Sequence, residues 1–263
     1  MPLDDVLVDI TGHTMTVTLN RPHRRNAVTP EMWSVLAGLF TRARSDPDVR
    51  VVVLTGSGDA FCSGADLVVA NQDQHDDRRP PRLHTLRQVA DAVLALHRLP
   101  KPTVARVRGV AVGGGWSLAL ACDLVLASEN ASFSQIFAKR GLSLDAGASW
   151  LLPRLVGVQK AKELAFLARR LSATEACDLG LVNVVVPDDQ LDATVADWTA
   201  TLEAGPPIAL SMTKALLEQS HLLGLDQALE AEAHAQALNF TTIDTTEALA
   251  AFVEKRQPTF VGR

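Results

Sequence analysis

The sequence predicts an α/β fold, and three observations carry that expectation. Short apolar runs rich in β-branched residues alternate with helical patterns from residue 6 to about residue 188. The runs at 49–55 and 103–108 are nearly continuous, as strands buried on both faces require. Beyond about residue 188 the strand signal stops and only helical periodicity continues. The expected organisation is an α/β core over residues 1–190 followed by a helical region over 191–263.

Residues 6–10 and 15–20 read as two short strands joined by the turn Thr11-Gly12-His13. Thr29-Pro30-Glu31 then combines a hydroxyl N-cap, a proline at the first helical position and an acid in the first turn, which together start a helix. Trp33, Leu36 and Phe40 supply its apolar stripe. The strand at 49–55 breaks at Gly56-Ser57-Gly58-Asp59. Residues 71–82, NQDQHDDRRPPR, offer little to bury and predict an exposed, mobile loop. A helix over about 83–98 follows, then Pro100-Lys101-Pro102 and the strand at 103–108. Gly113-Gly114-Gly115 makes the next break, ahead of the apolar segment 116–121 and a strand at 124–127. Helical patterns occupy 191–203, 207–219, 227–239 and 245–256, and no internal repeat of fixed period is visible.

A chain of 263 residues, 47% hydrophobic and 21% charged, can bury a large core. The start, MPLDDVLVDITG, lacks a basic region before an apolar run, and no stretch approaches the roughly 18 apolar residues of a spanning helix. Neither secretion nor membrane insertion is expected. Cys62, Cys122 and Cys177 are widely spaced and odd in number, which predicts reduced thiols in a cytoplasmic protein and no zinc site. A net charge of −5 and the absence of tyrosine argue against a nucleic-acid surface.

The candidate chemistry lies in two strand-to-glycine transitions, VVVLTGSGDAFCSGADL at 51–67 and TVARVRGVAVGGGWSLALACD at 103–123. Glycine lets main-chain N–H groups approach a ligand closely, so two such turns can aim donors at one oxygen. The same glycines equally serve tight turns and close packing. The first segment imitates a dinucleotide fingerprint, but Phe61 stands where its third glycine belongs. Serine-hydrolase elbow, P-loop and H-E-x-x-H signatures are all missing from the sequence, and the seven histidines are scattered. His84 and His97 read as surface or packing residues. Asp145, in GLSLDAGASWLLPRLVG, has the setting of a helix N-cap.

These segments together resemble the crotonase, or enoyl-CoA hydratase/isomerase, superfamily. LNRPHRRNAVTPEM resembles its early strand-turn-helix element, AFCSGADL its CoA and first oxyanion loop, and RVRGVAVGGGWSLALACDLVLAS its second oxyanion segment. LSATEACDLGLVNVVVP and AFVEKRQPTF are similar to its later core and terminal helix. The resemblance implies a spiral of strand-strand-helix units with a C-terminal helical region that assembles homotrimers, often paired as hexamers. It also implies an acyl-CoA substrate, with coenzyme A as part of that substrate and no tightly bound cofactor or metal. Carried over residue by residue, Ala65 and Gly114 become the two oxyanion donors. Arg24 or Arg25 would meet the CoA phosphates, with Ser63, Ala65, Asp66 and Leu67 along adenine and pantetheine. Phe252 and Lys255 would contribute from a neighbouring subunit.

Departures from the pattern bear on the reaction. Hydratases of this superfamily place glutamates where this chain has Ser117 and Phe137. Asp145, by contrast, falls where isomerases similar to the dienoyl-CoA and 1,2-epoxyphenylacetyl-CoA isomerases hold a catalytic aspartate. The resemblance thus implies double-bond isomerisation, with Asp145 carrying the proton. The alternatives are a hydratase working with Ser117 and Asp145, a hydrolase similar to 4-halobenzoyl-CoA dehalogenases with His84 assisting, and a non-catalytic acyl-CoA-binding protein.

Overall fold

The computed structural model describes residues 4–66 and 82–263. Leu67 and the expected loop at 71–82 lie outside the described residues, apart from the backbone of Arg82. The chain opens with an antiparallel hairpin, β1 (Val6–Thr11) and β2 (Thr14–Leu19). Helix α1 (Pro30–Ser45) follows, and the Thr29 hydroxyl accepts the Met32 N–H at 3.4 Å as its N-cap, a contact worth about 1 kcal/mol.

The chain then repeats one pattern. Strands β3 (Val51–Gly56) and β4 (Ala60–Cys62) precede helix α2 (Arg82–His97); β5 (Thr103–Val107) and β6 (Val110–Val112) precede α3 (Gly114–Leu120). Strands β7 (Leu124–Ser128) and β8 (Ser132–Ser134) precede a short 3-10 turn and α4 (Ala148–Leu167). The first strands of these units lie side by side and parallel in one sheet, and the second strands do the same in another. After α4 come β9 (Leu171–Ser172), α5 (Ala173–Asp178) and β10 (Val184–Val186). The completed sheets have six strands, β1-β2-β3-β5-β7-β10, and four strands, β4-β6-β8-β9. Each unit advances the chain by one strand in both sheets, which is the crotonase spiral that the resemblance implied. The sequence shows no fixed period because the connections that follow the second strands differ in length.

The apolar pattern explains the layering. Along β3, Val52 and Leu54 face the main core with Phe40, Phe61, Leu96 and Trp116. Val51 and Val53 face the other way, against Val104, Leu126, Leu191 and Val195. Leu191 and Val195 belong to α6 (Leu191–Glu203), so the first helix after residue 190 closes the second face of the sheet. Helices α7 (Pro207–Gln219), α8 (Leu225–Asn239) and α9 (Ile243–Glu254) complete the helical region. Large apolar side chains on these helices, including Leu217, Leu229, Leu249 and Phe252, are exposed. Among the described residues, no helix is long and apolar enough to cross a membrane.

Candidate functional site

Neighbouring parallel strands end at the same edge of their sheet, so the residues just after β4, β6 and β8 are brought together by pairing alone. Ala65 follows β4, Gly114 follows β6, and Asp145 lies in the connection from β8 to α4.

The first turn is held from both sides. The Val28 N–H donates to Gly64 O at 2.8 Å and the Asp66 N–H donates to Val28 O at 3.0 Å, a parallel bridge that leaves Ala65 between them. Behind it, Arg21 Nη1 donates to Ala27 O at 2.7 Å and to Asp66 Oδ2 at 2.9 Å, both partners being buried. Asn26, fully buried, accepts the Arg21 N–H and donates to Ser57 O and Ala60 O. Ala65 itself is exposed.

The second turn is shaped by glycine. Gly113 caps α3 with φ 55 and ψ −125, a conformation that a side chain would oppose. Gly115 packs so closely on Cys62 that a Cβ there would lie 2.4 Å from the Cys62 carbonyl oxygen. The two turns touch: a Cβ placed on Gly64 would stand 3.7 Å from the Gly114 nitrogen. Among the described residues, neither the Ala65 N–H nor the Gly114 N–H meets an acceptor within the protein. The Gly114 N–H is open because it is the first of its helix and the Ala65 N–H because that turn is exposed, so both are available to an acceptor outside the chain. Helix α3 spans only seven residues, so the donors themselves, more than a summed helix dipole, supply the positive field.

Asp145 is not the N-cap its sequence setting predicts. Helix α4 begins at Ala148 with Gly147 as its cap, and no side chain serves there. Ala146 and Gly147 both have positive φ, 52 and 80, which places Asp145 one tight turn before the helix. Its Oδ1 accepts the Ala146 N–H at 2.6 Å, and the side chain is otherwise exposed. The turn borders the second donor: Ala146 Cβ lies 3.9 Å from where a Gly114 Cβ would be, and Trp33 Cζ2 lies 3.8 Å from the same point. Ser117 and Phe137 both border Gly113. Ser117 is fully buried, with Oγ 3.2 Å from Gly113 O and 3.3 Å from Asp145 O, while Phe137 Cζ would touch a Cβ on Gly113.

Of the residues expected to meet CoA, Arg24, Arg25, Ser63, Ala65 and Asp66 are gathered in two tied loops. Ser63 N–H donates to Arg25 O at 2.9 Å and Ser63 Oγ donates to Arg24 O at 3.2 Å. The Arg24 and Arg25 side chains are exposed, whereas the Asp66 carboxylate faces inward onto Arg21. Phe252, 83% exposed, and Lys255 sit at the end of α9. No hydrogen bond or ion pair among the described residues joins them to these loops.

Sequence reasoning overlooked Arg21, Asn26 and the Ser117 contact. Arg21 and Asp66 are 45 positions apart, so no local charge pattern announces the pair. It also overlooked the surroundings of Trp150, whose ring meets His97 and His221 edge-on at 5.2 and 5.3 Å and lies under Arg154 at 3.8 Å. His97 Nδ1 stands 4.0 Å from Glu218 Oε1. Burial holds the His97 imidazole below its usual range and pushes the Glu218 carboxyl up. His84 is exposed on the first turn of α2. Cys62 and Cys122 are buried free thiols, and burial pushes Cys62 up to about 12.

Comparison with known proteins gives a consistent result. The family profile described as enoyl-CoA hydratase/isomerase matches residues 9–263. A 1,2-epoxyphenylacetyl-CoA isomerase from Escherichia coli (strain K12) is 36% identical over 261 residues, covering 99% of this chain and 100% of that protein. The crystal structure of an enoyl-CoA hydratase from Bacillus anthracis superimposes with a TM-score of 0.93 at 33% identity, covering 98% of this chain and 100% of that one. An enoyl-CoA hydratase-like protein from Thermobifida fusca YX, in complex with CoA, has a TM-score of 0.84 at 36% identity, covering 90% of this chain and 93% of that one.

Proposed function

The chain belongs to the enoyl-CoA hydratase/isomerase family, and from that premise we propose that it isomerises the double bond of an enoyl-CoA, with Asp145 as the proton carrier. The family assignment makes it an acyl-CoA isomerase or hydratase acting on CoA thioesters. What favours isomerisation is one observation: the open N–H groups of Ala65 and Gly114 lie on touching turns, the second of which packs against the turn bearing Asp145, while Ser117 and Phe137 offer no second acid.

The chemistry follows from the charge that develops. Removing a C2 proton from a 3-enoyl thioester places negative charge on the thioester oxygen. Two aligned N–H donors stabilise that oxygen more than they stabilise the neutral carbonyl, each by about 3 kcal/mol in the transition state. Asp145 takes the C2 proton and returns it to C4, which gives the 2-enoyl thioester. One carboxylate suffices because it serves first as base and then as acid. Syn hydration must also orient a water, and the Ser117 hydroxyl, buried beneath Gly113 and Asp145, does not face an incoming water.

CoA binding is assigned to the tied loops. Arg24 and Arg25 meet the phosphates, and Ser63, Ala65, Asp66 and Leu67 border adenine and pantetheine, with Asp66 acting from within by fixing the loop to Arg21. The exposed apolar side chains of α7–α9 support assembly as a homotrimer, in which Phe252 and Lys255 reach a neighbour's CoA site. The buried free thiols suit a reducing, cytoplasmic setting.

Incubation with 3-hexenoyl-CoA in deuterated buffer tests the reading. The protein is expected to form 2-hexenoyl-CoA, and Asp145→Asn to abolish that conversion while still binding CoA thioesters. Turnover that survives Asp145→Asn removes the proposed role, and hydration without isomerisation replaces the reaction.

A further inference from the structure

We infer that Ser117 is a positioning residue that sets where Asp145 stands relative to the Gly114 donor. The inference rests on the reading of Asp145 as the proton carrier.

The side chain of Ser117 lies on α3, one turn beyond the donor, and is fully buried. Its Oγ stands 3.2 Å from the carbonyl oxygen of Gly113, the residue immediately before the donor. It stands 3.3 Å from the carbonyl oxygen of Asp145. Gly113 O already accepts the Ser117 N–H at 3.0 Å, the ordinary helical bond. Each of the two carbonyls already accepts one N–H, Asp145 O that of Ala148 at 3.1 Å, and each keeps a second lone pair, so the one hydroxyl proton is shared between Gly113 O and Asp145 O. A single hydroxyl thus spans from the peptide that presents one donor to the peptide that carries the carboxylate.

The turn at Asp145 needs such a tie. Buried Ala146 adopts φ 52, a left-handed conformation that side chains disfavour, and Gly147 continues at φ 80. Strained backbone persists only where the surroundings hold it. Three contacts do so here: the Ala146 methyl packed against Gly114, the Ala146 N–H bonded to the carboxylate, and the Ser117 hydroxyl shared between the Gly113 and Asp145 carbonyls. The third joins the turn to the helix of the donor by a polar, directional contact. Ser117 touches no reacting atom, since it is enclosed. Its effect on the reaction passes through the Asp145 backbone.

The test uses Ser117→Ala and Ser117→Cys in the full chain, beside Asp145→Asn, with 3-hexenoyl-CoA as substrate. Ser117→Ala is expected to lower kcat about ten- to a hundredfold, the range for a slight misplacement of a reacting group, with KM within about twofold. Ser117→Cys, which keeps a weak donor, should recover part of kcat. Amide hydrogen exchange across residues 145–148 should quicken in the alanine variant, whatever the substrate. A Ser117→Ala variant with kcat within twofold of wild type, or with unchanged exchange at 145–148, overturns the inference. So does an equal loss in Ser117→Ala and Ser117→Cys, which marks a packing role. If Asp145→Asn also turns over, the reading of Asp145 falls and this inference with it; if Asp145→Asn is inactive and Ser117→Ala is not, only the inference falls.

Discussion

Adding one methyl group at Gly115 should separate the two donors without removing either. An alanine Cβ there would lie 2.4 Å from the Cys62 carbonyl oxygen and 2.7 Å from both its Cβ and its Sγ. Ordinary contact begins near 3.4 Å, and two of the obstructing atoms belong to β4 or are fixed directly to it. Helix α3 must therefore retreat from β4 by about 1 Å, because a packed interior does not absorb that overlap. Overpacking of this kind costs about 1–3 kcal/mol of stability. The retreat carries Gly114 away from Ala65, and loss of one aligned donor lowers kcat by about 10²–10³. Since the neutral thioester gains less from the donors than the enolate does, KM should change far less than kcat. Steady-state kinetics of Gly115→Ala with 3-hexenoyl-CoA, together with a thermal unfolding curve, reads both effects. A folded variant with kcat within about twofold of wild type shows that the spacing of the two turns does not limit turnover.

Other substitutions probe the supports. Arg21→Met should cost about 3–5 kcal/mol, because it leaves the buried Asp66 carboxylate without this counter-charge; the urea midpoint of unfolding measures it, and a loss below about 1 kcal/mol contradicts the ion pair's role. At pH 8 iodoacetamide should leave Cys62 and Cys122 unmodified in the native protein and label them after denaturation, since both are buried and burial raises both thiols. Glu218→Gln should raise the thermal midpoint at neutral pH. Burial raises the folded carboxyl above its unfolded value, so wild type regains stability as pH falls through the folded pKa. The advantage of the glutamine variant should therefore shrink toward pH 4.5, and an advantage that grows on acidification contradicts the assignment.

The elements themselves were legible because they depend on local patterns. Thr29-Pro30 marks the start of α1, the β-branched run marks β3, and proline and apolar spacing mark α7, each within about two residues. The spiral was not legible from periodicity, because what repeats is a pairing scheme and the intervening connections differ. The two donor turns were visible as glycine clusters, yet glycine alone leaves tight packing and ligand approach undecided; the adjacency of β4 and β6 is what brings Ala65 beside Gly114. Asp145 shows the limit of reading local signals. An acid ahead of an apolar helix looks like a cap, but Ala146 and Gly147 both turn left-handed and give the cap to Gly147. Arg21 and Ser117 were invisible for a different reason, since their partners lie 45 and 28 positions away.

On the proposed function, Ala65 and Gly114 share one thioester oxygen and Asp145 stands beside the α-carbon. A crystal structure of the Asp145→Asn variant with bound 3-hexenoyl-CoA tests it most directly. The thioester oxygen should lie about 2.7–3.1 Å from both main-chain nitrogens, with the residue 145 side chain against C2 and C4 of the acyl chain. A thioester oxygen bound by neither nitrogen, or a side chain at 145 turned away from the acyl group, rules this arrangement out.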